Sequence, residues 1–428
     1  MKFKGVLTMF LAATLAFAGC AKSPETEKPK PFDYDALPFY DAQAIQKEYE
    51  YDDVLAAQPF WLGNVMYNES VMCIKNQNGG AEATTLFKPL KVLSVRDWTL
   101  KVEYKEGVDY EILENGKISA LPGGSIPQFD DNWQYGIDIP APYEKIDDLA
   151  VTGNKYHVFD CVTGEGEPIG VVYTEGPLFY SNYLNVTYVY DPAEFDYSVV
   201  TGYSNELSGL TQKLKNKEDI KMLVFGDSIS EGCSASKHWG REPNESFYGE
   251  IVKNEIERIY GVNVDFYNYS LGGSTSKWGC GLDSASNGSY NPTKIRQLAP
   301  DLIVIGFGMN DAGNVSAEDF GVNIRMIADN ARQANPDCQI IFLNSYVGHE
   351  YFTSRSAHKL LHDELENLSY EYDDATFIDM YSLSLKLLET KKYYEITNNG
   401  VNHPNDFMHR VYAMNILSKI IDYKEINK

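Results

Sequence analysis

The chain has 428 residues, of which 43% are hydrophobic, and its formal net charge is -24 at pH 7. This length predicts two domains, and the hydrophobic content is ordinary for a globular protein. The acidic balance argues against a nucleic-acid partner, because the only basic cluster is the Lys-rich stretch at 213–221.

The first twenty residues predict export and lipid anchoring. Two lysines precede an apolar stretch at 6–17, which is too short to span a bilayer and fits the core of a secretory signal. The stretch ends on small residues before Cys20. This pattern resembles a bacterial lipobox, in which the cysteine is lipidated and becomes the mature N-terminus. We predict a lipoprotein signal peptide at 1–20 and an exported, cell-surface or periplasm-facing protein attached to the membrane only by its lipid. An ordinary signal with an incidental cysteine is the alternative.

Residues 21–31 are rich in Pro, Lys and Glu and predict a flexible linker before a β-rich half at 32–205. In that half, short alternating or apolar runs separated by Gly, Pro and Asn are typical of strands, and they occur at 99–112, 155–162, 169–174 and 184–191. The pattern predicts an accessory β-sandwich domain. Its aromatic residues could form a sugar-binding face, although aromatic side chains in strands more often pack in a core. No catalytic constellation is evident there.

After a connecting segment at 207–221, strands alternate with helices. The predicted strands are at 222–225, 262–270, 302–308, 339–346 and 376–382. Helical periodicity occurs at 246–260, 316–334, 356–368 and 408–421, and Ser316 is a plausible N-cap. Apolar strands between helices predict a parallel sheet covered on both faces. In such folds, ligands bind beyond the carboxyl ends of the strands.

Five cysteines remain besides Cys20, namely Cys73, Cys161, Cys233, Cys280 and Cys338. An odd number at wide spacing does not predict a disulfide framework. One bridge between Cys233 and Cys280 is an open alternative in an oxidising compartment, and buried free thiols are the other.

Four short motifs lie at strand ends or before the last helix, in the order Gly-Asp-Ser (226–228), Gly-Gly-Ser-Thr (272–275), Gly-Met-Asn-Asp (308–311) and His-Pro-Asn-Asp (403–406). Each is weak alone, but their order and placement resemble the SGNH (GDSL) hydrolase superfamily. The resemblance covers roughly residues 220–425. It implies a three-layer, flavodoxin-like α/β hydrolase domain at 215–428. With the preceding β half and the lipid anchor, the chain resembles the two-domain carbohydrate acetylesterases of bacteria.

The resemblance assigns roles at the motif positions. Acyl transfer from an ester needs a nucleophile, a base and donors for the developing oxyanion. Ser228 matches the nucleophile, and His403 matches the base that takes and returns its proton. The backbone N–H groups of Ser228 and Gly273 and the side-chain amide of Asn310 match the oxyanion donors. Asp227 is expected to support the turn rather than to take part in catalysis.

One position departs from the family pattern. The family usually has an acid three residues before the histidine, and here that residue is Gly400. A Ser–His dyad with a backbone carbonyl orienting the histidine is the favoured interpretation. The alternative is a distant carboxylate, with Asp406 and Glu231 the nearest candidates in sequence. A missing acid lowers the rate without excluding catalysis, because the oxyanion donors and substrate binding also contribute.

Other kinds of site are disfavoured. His358 and His362 have the i, i+4 spacing of helical metal ligands, but no Glu stands beside the first His, so we expect histidines on a solvent-exposed helix face. The sequence has no P-loop, no dinucleotide glycine pattern and no Gly-x-Ser-x-Gly elbow. We expect neither a metal nor a cofactor.

The leading hypothesis is therefore a serine ester hydrolase that works through an acyl-enzyme intermediate. We expect it to remove O-acetyl groups from a polysaccharide or oligosaccharide. One alternative is a lysophospholipase or thioesterase of the same superfamily. A second is an inactive surface lipoprotein that binds glycan, an idea that the missing acid at Gly400 motivates.

Overall fold

The N-terminal part of the chain folds into two sheets in the computed structural model, which describes residues 32–200 and 202–426. The predicted signal peptide, Cys20 and the linker at 21–31 lie outside the described residues. The strands of this part are β1 (Val65–Lys75), β2 (Ala81–Ala83), β3 (Lys91–Asp97), β4 (Tyr110–Ile112), β5 (Ile118–Ala120), β6 (Gln128–Phe129), β7 (Glu144–Lys145), β8 (Lys155–Val162), β9 (Pro168–Tyr173) and β10 (Tyr183–Val189). The larger sheet has the order β3-β10-β1-β2-β5-β4 with β6 beside β1, and β7, β8 and β9 form the smaller sheet.

Both sheets are mixed, because β1 pairs with β6 and β7 with β8 in parallel beside the antiparallel pairs. The predicted β-sandwich is therefore not confirmed. The strands predicted at 155–162, 169–174 and 184–191 are confirmed as β8, β9 and β10. Of the region 99–112, only β4 is a strand. The residues before β4 form a turn instead, because the Asp97 side chain accepts the backbone N–H groups of Lys101 and Val102.

The longest of these strands, β1, was not predicted. Its centre reads Asn68-Glu69-Ser70, which breaks the apolar pattern of a strand, yet all three residues are buried. Burial of a charged group is costly unless it is paired. The Glu69 carboxylate lies 2.6 Å from the Lys391 ammonium group, which comes from the C-terminal part of the chain.

The C-terminal part contains five parallel strands, β11 (Ile220–Gly226), β12 (Val264–Asn268), β13 (Leu302–Gly306), β14 (Gln339–Leu343) and β15 (Ala375–Ile378). They match the five predicted strands. Their order, β12-β11-β13-β14-β15, is the flavodoxin-like order. Every residue of β13 and β14 is buried, as expected for a parallel sheet covered on both faces.

Helices cover both faces of this sheet. The helices of the chain are α1 (Pro177–Tyr180), α2 (Ser208–Lys215), α3 (Ser228–Glu231), α4 (Tyr248–Tyr260), α5 (Ser276–Gly279), α6 (Asn291–Leu298), α7 (Ala317–Ala334), α8 (Arg355–Ser369), α9 (Met380–Leu387), α10 (Asp406–Ile420) and α11 (Tyr423–Ile426). Alternate strand residues point to opposite faces. Met222 and Val224 pack in one core with α4 and α10, and Leu223 and Phe225 pack in the other with α6, α7 and α8. The three-layer, flavodoxin-like arrangement expected for this part is confirmed, and Ser316 caps α7 as predicted.

Helix α10 joins the two parts of the chain. All of its residues after Asp406 are buried, because it lies between the parallel sheet and β1 in one continuous core. From Tyr34 onward the chain is one compact unit. Among the described residues, no helix combines the length and apolar character that a membrane crossing requires. All five cysteines in this range are free thiols, so the Cys233–Cys280 bridge is not formed.

Candidate active site

The turn after β11 places Ser228 at the carboxyl edge of the parallel sheet. Gly226 ends the strand where a Cβ atom would collide with the carbonyl oxygen of Gly306 on β13. Asp227 caps α3, since its carboxylate accepts the backbone N–H of Ile229 at 3.0 Å and that of Met309 at 3.3 Å. Asp227 therefore supports the turn as expected. Ser228 is the first residue of α3, so its own N–H has no acceptor within the helix.

The loop before α10 brings His403 to the same place. Its Nε2 atom lies 3.0 Å from the Ser228 hydroxyl oxygen. The loop is held by the side chain of Asn399, whose carbonyl oxygen accepts the backbone N–H groups of Val401, Asn402 and His403 at 2.9–3.0 Å. The polar residues around Gly400 thus fix the conformation of the loop that carries His403. They supply no negative charge beside the histidine.

A carboxylate from the N-terminal part orients His403. Glu175 follows β9, and its Oε1 atom lies 2.8 Å from His403 Nδ1. The favoured Ser–His dyad is therefore wrong, and the alternative of a distant carboxylate is confirmed, although neither of the two candidates named for it supplies the acid. Asp406 accepts the backbone N–H of Ser236 at 2.8 Å, and Glu231 accepts that of Gly272 at 2.6 Å. Neither side chain forms a hydrogen bond with the histidine.

The surroundings of Glu175 keep it ionised. Its oxygens also accept hydrogen bonds from the Ser234 hydroxyl at 2.9 Å and from the Asn399 amide at 3.2 Å. Burial by itself would raise the pKa of Glu175, but the charge of His403 and these three hydrogen bonds together lower it below its ordinary value. An ionised carboxylate only accepts, so His403 Nδ1 carries the proton and Nε2 offers its lone pair to Ser228.

The predicted oxyanion donors lie on neighbouring strand ends. Gly273 has a φ of +74°, in the left-handed region that favours glycine, and a Cβ atom there would meet open space. Among the described residues, no protein acceptor takes the backbone N–H of Ser228 or Gly273. One N–H of the Asn310 amide donates to the Ser274 carbonyl at 2.9 Å, which leaves the other available.

The prediction for the helical histidine pair is wrong, because both His358 and His362 are buried. His362 contacts two carboxylates, Asp363 at 2.9 Å and Asp379 at 3.0 Å. Burial would lower the pKa of His362, but the hydrogen bond and the charge of Asp379 raise it. Although His362, Asp363 and Glu366 are close enough together to hold an ion, both ring nitrogens of His362 already have carboxylate partners.

Comparison with known proteins finds one family model. Residues 224–411 match the GDSL-like Lipase/Acylhydrolase family. Among similar solved structures, Axe2, an acetylxylan esterase from Geobacillus stearothermophilus, is 18% identical, with 48% of this chain and 95% of that chain covered and a TM-score of 0.38. A two-domain esterase active on acetylated mannans is 19% identical, with 53% and 55% covered and a TM-score of 0.39. No curated protein gives a significant match.

Proposed function

We propose that the chain is a serine ester hydrolase acting on O-acetyl groups of a polysaccharide or oligosaccharide. The proposal starts from the match of residues 224–411 to the GDSL-like Lipase/Acylhydrolase family. The observation that carries the proposal is the hydrogen-bonded chain from Ser228 through His403 to Glu175, with distances of 3.0 and 2.8 Å. A nucleophile, a base and an orienting acid in this geometry are the parts that acyl transfer requires.

Acylation begins when the Ser228 oxygen attacks the ester carbonyl carbon while His403 Nε2 takes the hydroxyl proton. The carbonyl oxygen becomes an oxyanion, which accepts the N–H groups of Ser228 and Gly273 and the free N–H of Asn310. Glu175 stabilises the positively charged imidazole that forms. When the intermediate collapses, the C–O bond to the sugar breaks, and the departing alkoxide takes the proton from His403.

Deacylation repeats these steps with water as the nucleophile. His403 accepts a proton from water as the water oxygen attacks the acetyl carbonyl of the acyl-enzyme. Collapse of the second intermediate breaks the bond to Ser228 and returns the proton to the serine oxygen. Acetic acid leaves and ionises, and the enzyme regains its starting protonation state.

The residues around the nucleophile Ser228 favour a short acyl group. At Gly272, a Cβ atom would lie 3.0 Å from the Glu231 carboxylate and 3.7 Å from the Ser228 Cβ atom, so both groups lie beside Gly272. Packing a long apolar chain against a polar carboxyl group would cost free energy. This observation favours acetyl over the long acyl chains of a lysophospholipase. The alternative of an inactive glycan-binding protein rested on the missing acid at position 400. Glu175 supplies an acid in its place, so that reason no longer holds.

We also propose that the protein is exported and lipidated at Cys20, as its first twenty residues predict. Metabolic labelling with a fatty-acid analogue in a bacterial host tests this proposal. Label on the wild type that is absent from a Cys20→Ala variant supports it, and equal labelling of the two contradicts it.

The first experiment measures acetate release from acetylated xylan, mannan and pectin by the wild type and by Ser228→Ala, with a dodecanoyl p-nitrophenyl ester as the lipid-like control. We expect serine-dependent acetate release from at least one polymer. Turnover of the dodecanoyl ester alone would replace the acetylesterase by a lipase-like enzyme. Activity that survives in Ser228→Ala would reject the nucleophile.

In Asn310→Ala we expect kcat to fall about 100-fold with KM little changed, since an oxyanion donor acts in the transition state.

A further inference from the structure

Four aromatic rings from two distant segments meet in one cluster, here called the aromatic shelf and defined as His157, Phe159, Tyr173 and Phe352. The Phe159 ring centroid lies 4.8 Å from that of His157, 5.8 Å from that of Tyr173 and 4.8 Å from that of Phe352. His157, Phe159 and Tyr173 share one face of the β8–β9 hairpin, because His157 pairs with Tyr173 and Phe159 lies two residues further along β8.

The two segments that form the shelf are each linked to a loop of the candidate active site. Tyr173 is two residues before Glu175, and the nearby Glu175 charge adds to burial in raising the pKa of Tyr173. Phe352 lies in the segment after β14, at the carboxyl edge of the parallel sheet. In that segment, the N–H of His349 donates to the carbonyl of Val401 at 2.9 Å, two residues before His403.

We propose that the aromatic shelf is a subsite that stacks a sugar ring of the acylated glycan. The inference rests on the proposed function and adds to it, because it makes an oligosaccharide, rather than an isolated small ester, the preferred substrate. Phe352 remains 40% exposed although its ring contacts Phe159. That exposed ring surface is accessible to a ligand. The C–H face of a pyranose ring is apolar and can cover it.

The polar groups around the shelf favour a sugar over an acyl chain. His157 Nδ1 lies 3.1 Å from the Ile146 carbonyl oxygen, which can only accept, so Nδ1 carries a proton. Within the described residues, the other nitrogen, Nε2, has no hydrogen-bond partner and can serve a hydroxyl group. Glu350 is exposed two residues before Phe352. Aromatic surface with a polar ring nitrogen beside it suits a ligand that is itself both apolar and hydroxylated.

The test is a binding titration in the Ser228→Ala background, in which the ester is expected to stay intact. Acetylated xylo-, manno- and galacturono-oligosaccharides of six units serve as probes in isothermal titration calorimetry. Adding Phe352→Ala should weaken binding of the preferred probe about fivefold or more, and Phe352→Tyr, which keeps the ring, should restore it. The matched control is Tyr370→Ala, since Tyr370 is 77% exposed and precedes β15 at the opposite edge of the sheet. We expect the Ser228→Ala/Tyr370→Ala protein to bind the preferred probe with the same affinity as Ser228→Ala.

Equal affinities in the Phe352→Ala and Tyr370→Ala variants would overturn the proposal, and so would an absence of binding by every probe. An effect confined to hydrolysis of the dodecanoyl ester, in variants that retain Ser228, would assign the shelf to acyl chains instead. Serine-dependent hydrolysis of p-nitrophenyl acetate is measured in parallel. Its absence would reject the proposed esterase function, whereas its presence with unchanged glycan affinity would reject only the subsite.

Discussion

Glu175 and His403 lie 228 positions apart in the chain, yet their side chains share a hydrogen bond of 2.8 Å. The carboxylate comes from the β-rich N-terminal part and the histidine from the α/β part. The N-terminal part is therefore more than an accessory to the hydrolase, because it completes the candidate active site. The relationship also explains why the chain can have glycine at position 400, where the family usually has the acid.

Replacing Glu175 should reduce turnover more than binding. In Glu175→Ala, nothing holds the Nδ1 proton or stabilises the charged imidazole, and we expect kcat to fall about 10²–10⁴-fold. Glu175→Gln should retain more activity, because its carbonyl oxygen can still accept from His403 while its amide donates to the Ser234 hydroxyl. Steady-state kinetics on an acetyl ester measures both.

Asp406→Asn is the matched control for that series, since Asp406 was a sequence candidate for the acid and does not contact His403. We expect its kcat to stay close to that of the wild type. Normal kcat in Glu175→Ala, or a larger loss in Asp406→Asn, would contradict the assignment of Glu175.

Glu231 should act as a positioning residue for the oxyanion donors. Its carboxylate accepts the N–H of Gly272 at 2.6 Å, which fixes the turn that carries the Gly273 N–H. Glu231→Ala should lower kcat about 10-fold with little effect on KM, because the donor is used in the transition state. Glu231→Gln keeps an acceptor and should recover most of the loss. Equal losses in the two variants would show that charge rather than the hydrogen bond matters.

Sequence patterns predicted the parts of the fold that depend on local periodicity. The five parallel strands and the helices that cover them follow from apolar runs and helical spacing, and the topology of a parallel sheet brings Ser228 and His403 to one edge. Glu175 carried no such signal, since it stands alone in a turn after a short strand. The strand β1 was missed for a related reason. Its polar centre becomes compatible with burial through partners distant in sequence, among them Lys391, more than 300 residues away.

Because folded Asp227 holds a proton at low pH and loses it as pH rises, the free energy of unfolding should fall with rising pH. Burial, with a smaller contribution from the charge of Asp311, raises the pKa of Asp227 from 3.8 to about 7. The folded protein then keeps a proton that the unfolded chain loses near pH 4. The stability from this group is fully present below that pH and is lost as pH rises through 7, with a slope of at most about 1.4 kcal/mol per pH unit. Asp311, whose pKa burial raises to about 6, adds in the same direction.

Urea unfolding at pH 5, 6, 7 and 8 measures this slope. Asp227→Asn should flatten it, because the amide does not titrate. The control is Asp265→Asn, which removes an exposed carboxyl group and should leave the slope as in the wild type. The same slope in all three proteins would contradict protonation of Asp227 in the folded state.

The buried ion pair between Glu69 and Lys391 should stabilise the junction of the two parts. Both side chains are fully buried, and the Lys391 ammonium group donates to the Glu69 carboxylate at 2.6 Å and to the Ser70 carbonyl at 2.7 Å. Lys391→Met would leave the carboxylate with only neutral donors, the Tyr188 hydroxyl and the Leu86 N–H. We expect the free energy of unfolding to fall by about 3–5 kcal/mol.

The neighbouring Lys392 is exposed, so Lys392→Met removes the same charge and should change stability by less than about 0.5 kcal/mol. The double variant Glu69→Gln/Lys391→Met removes the charge of Glu69 together with that of Lys391, and part of the lost stability should return; the buried Glu395 still loses the Lys391 charge that lowers its pKa. Failure of the double variant to recover would mean that Lys391 acts through the Ser70 carbonyl and its packing rather than through the charge of Glu69. Because the segment from Lys391 leads directly to His403, Lys391→Met should also lower kcat at temperatures where the protein remains folded, whereas Lys392→Met should not.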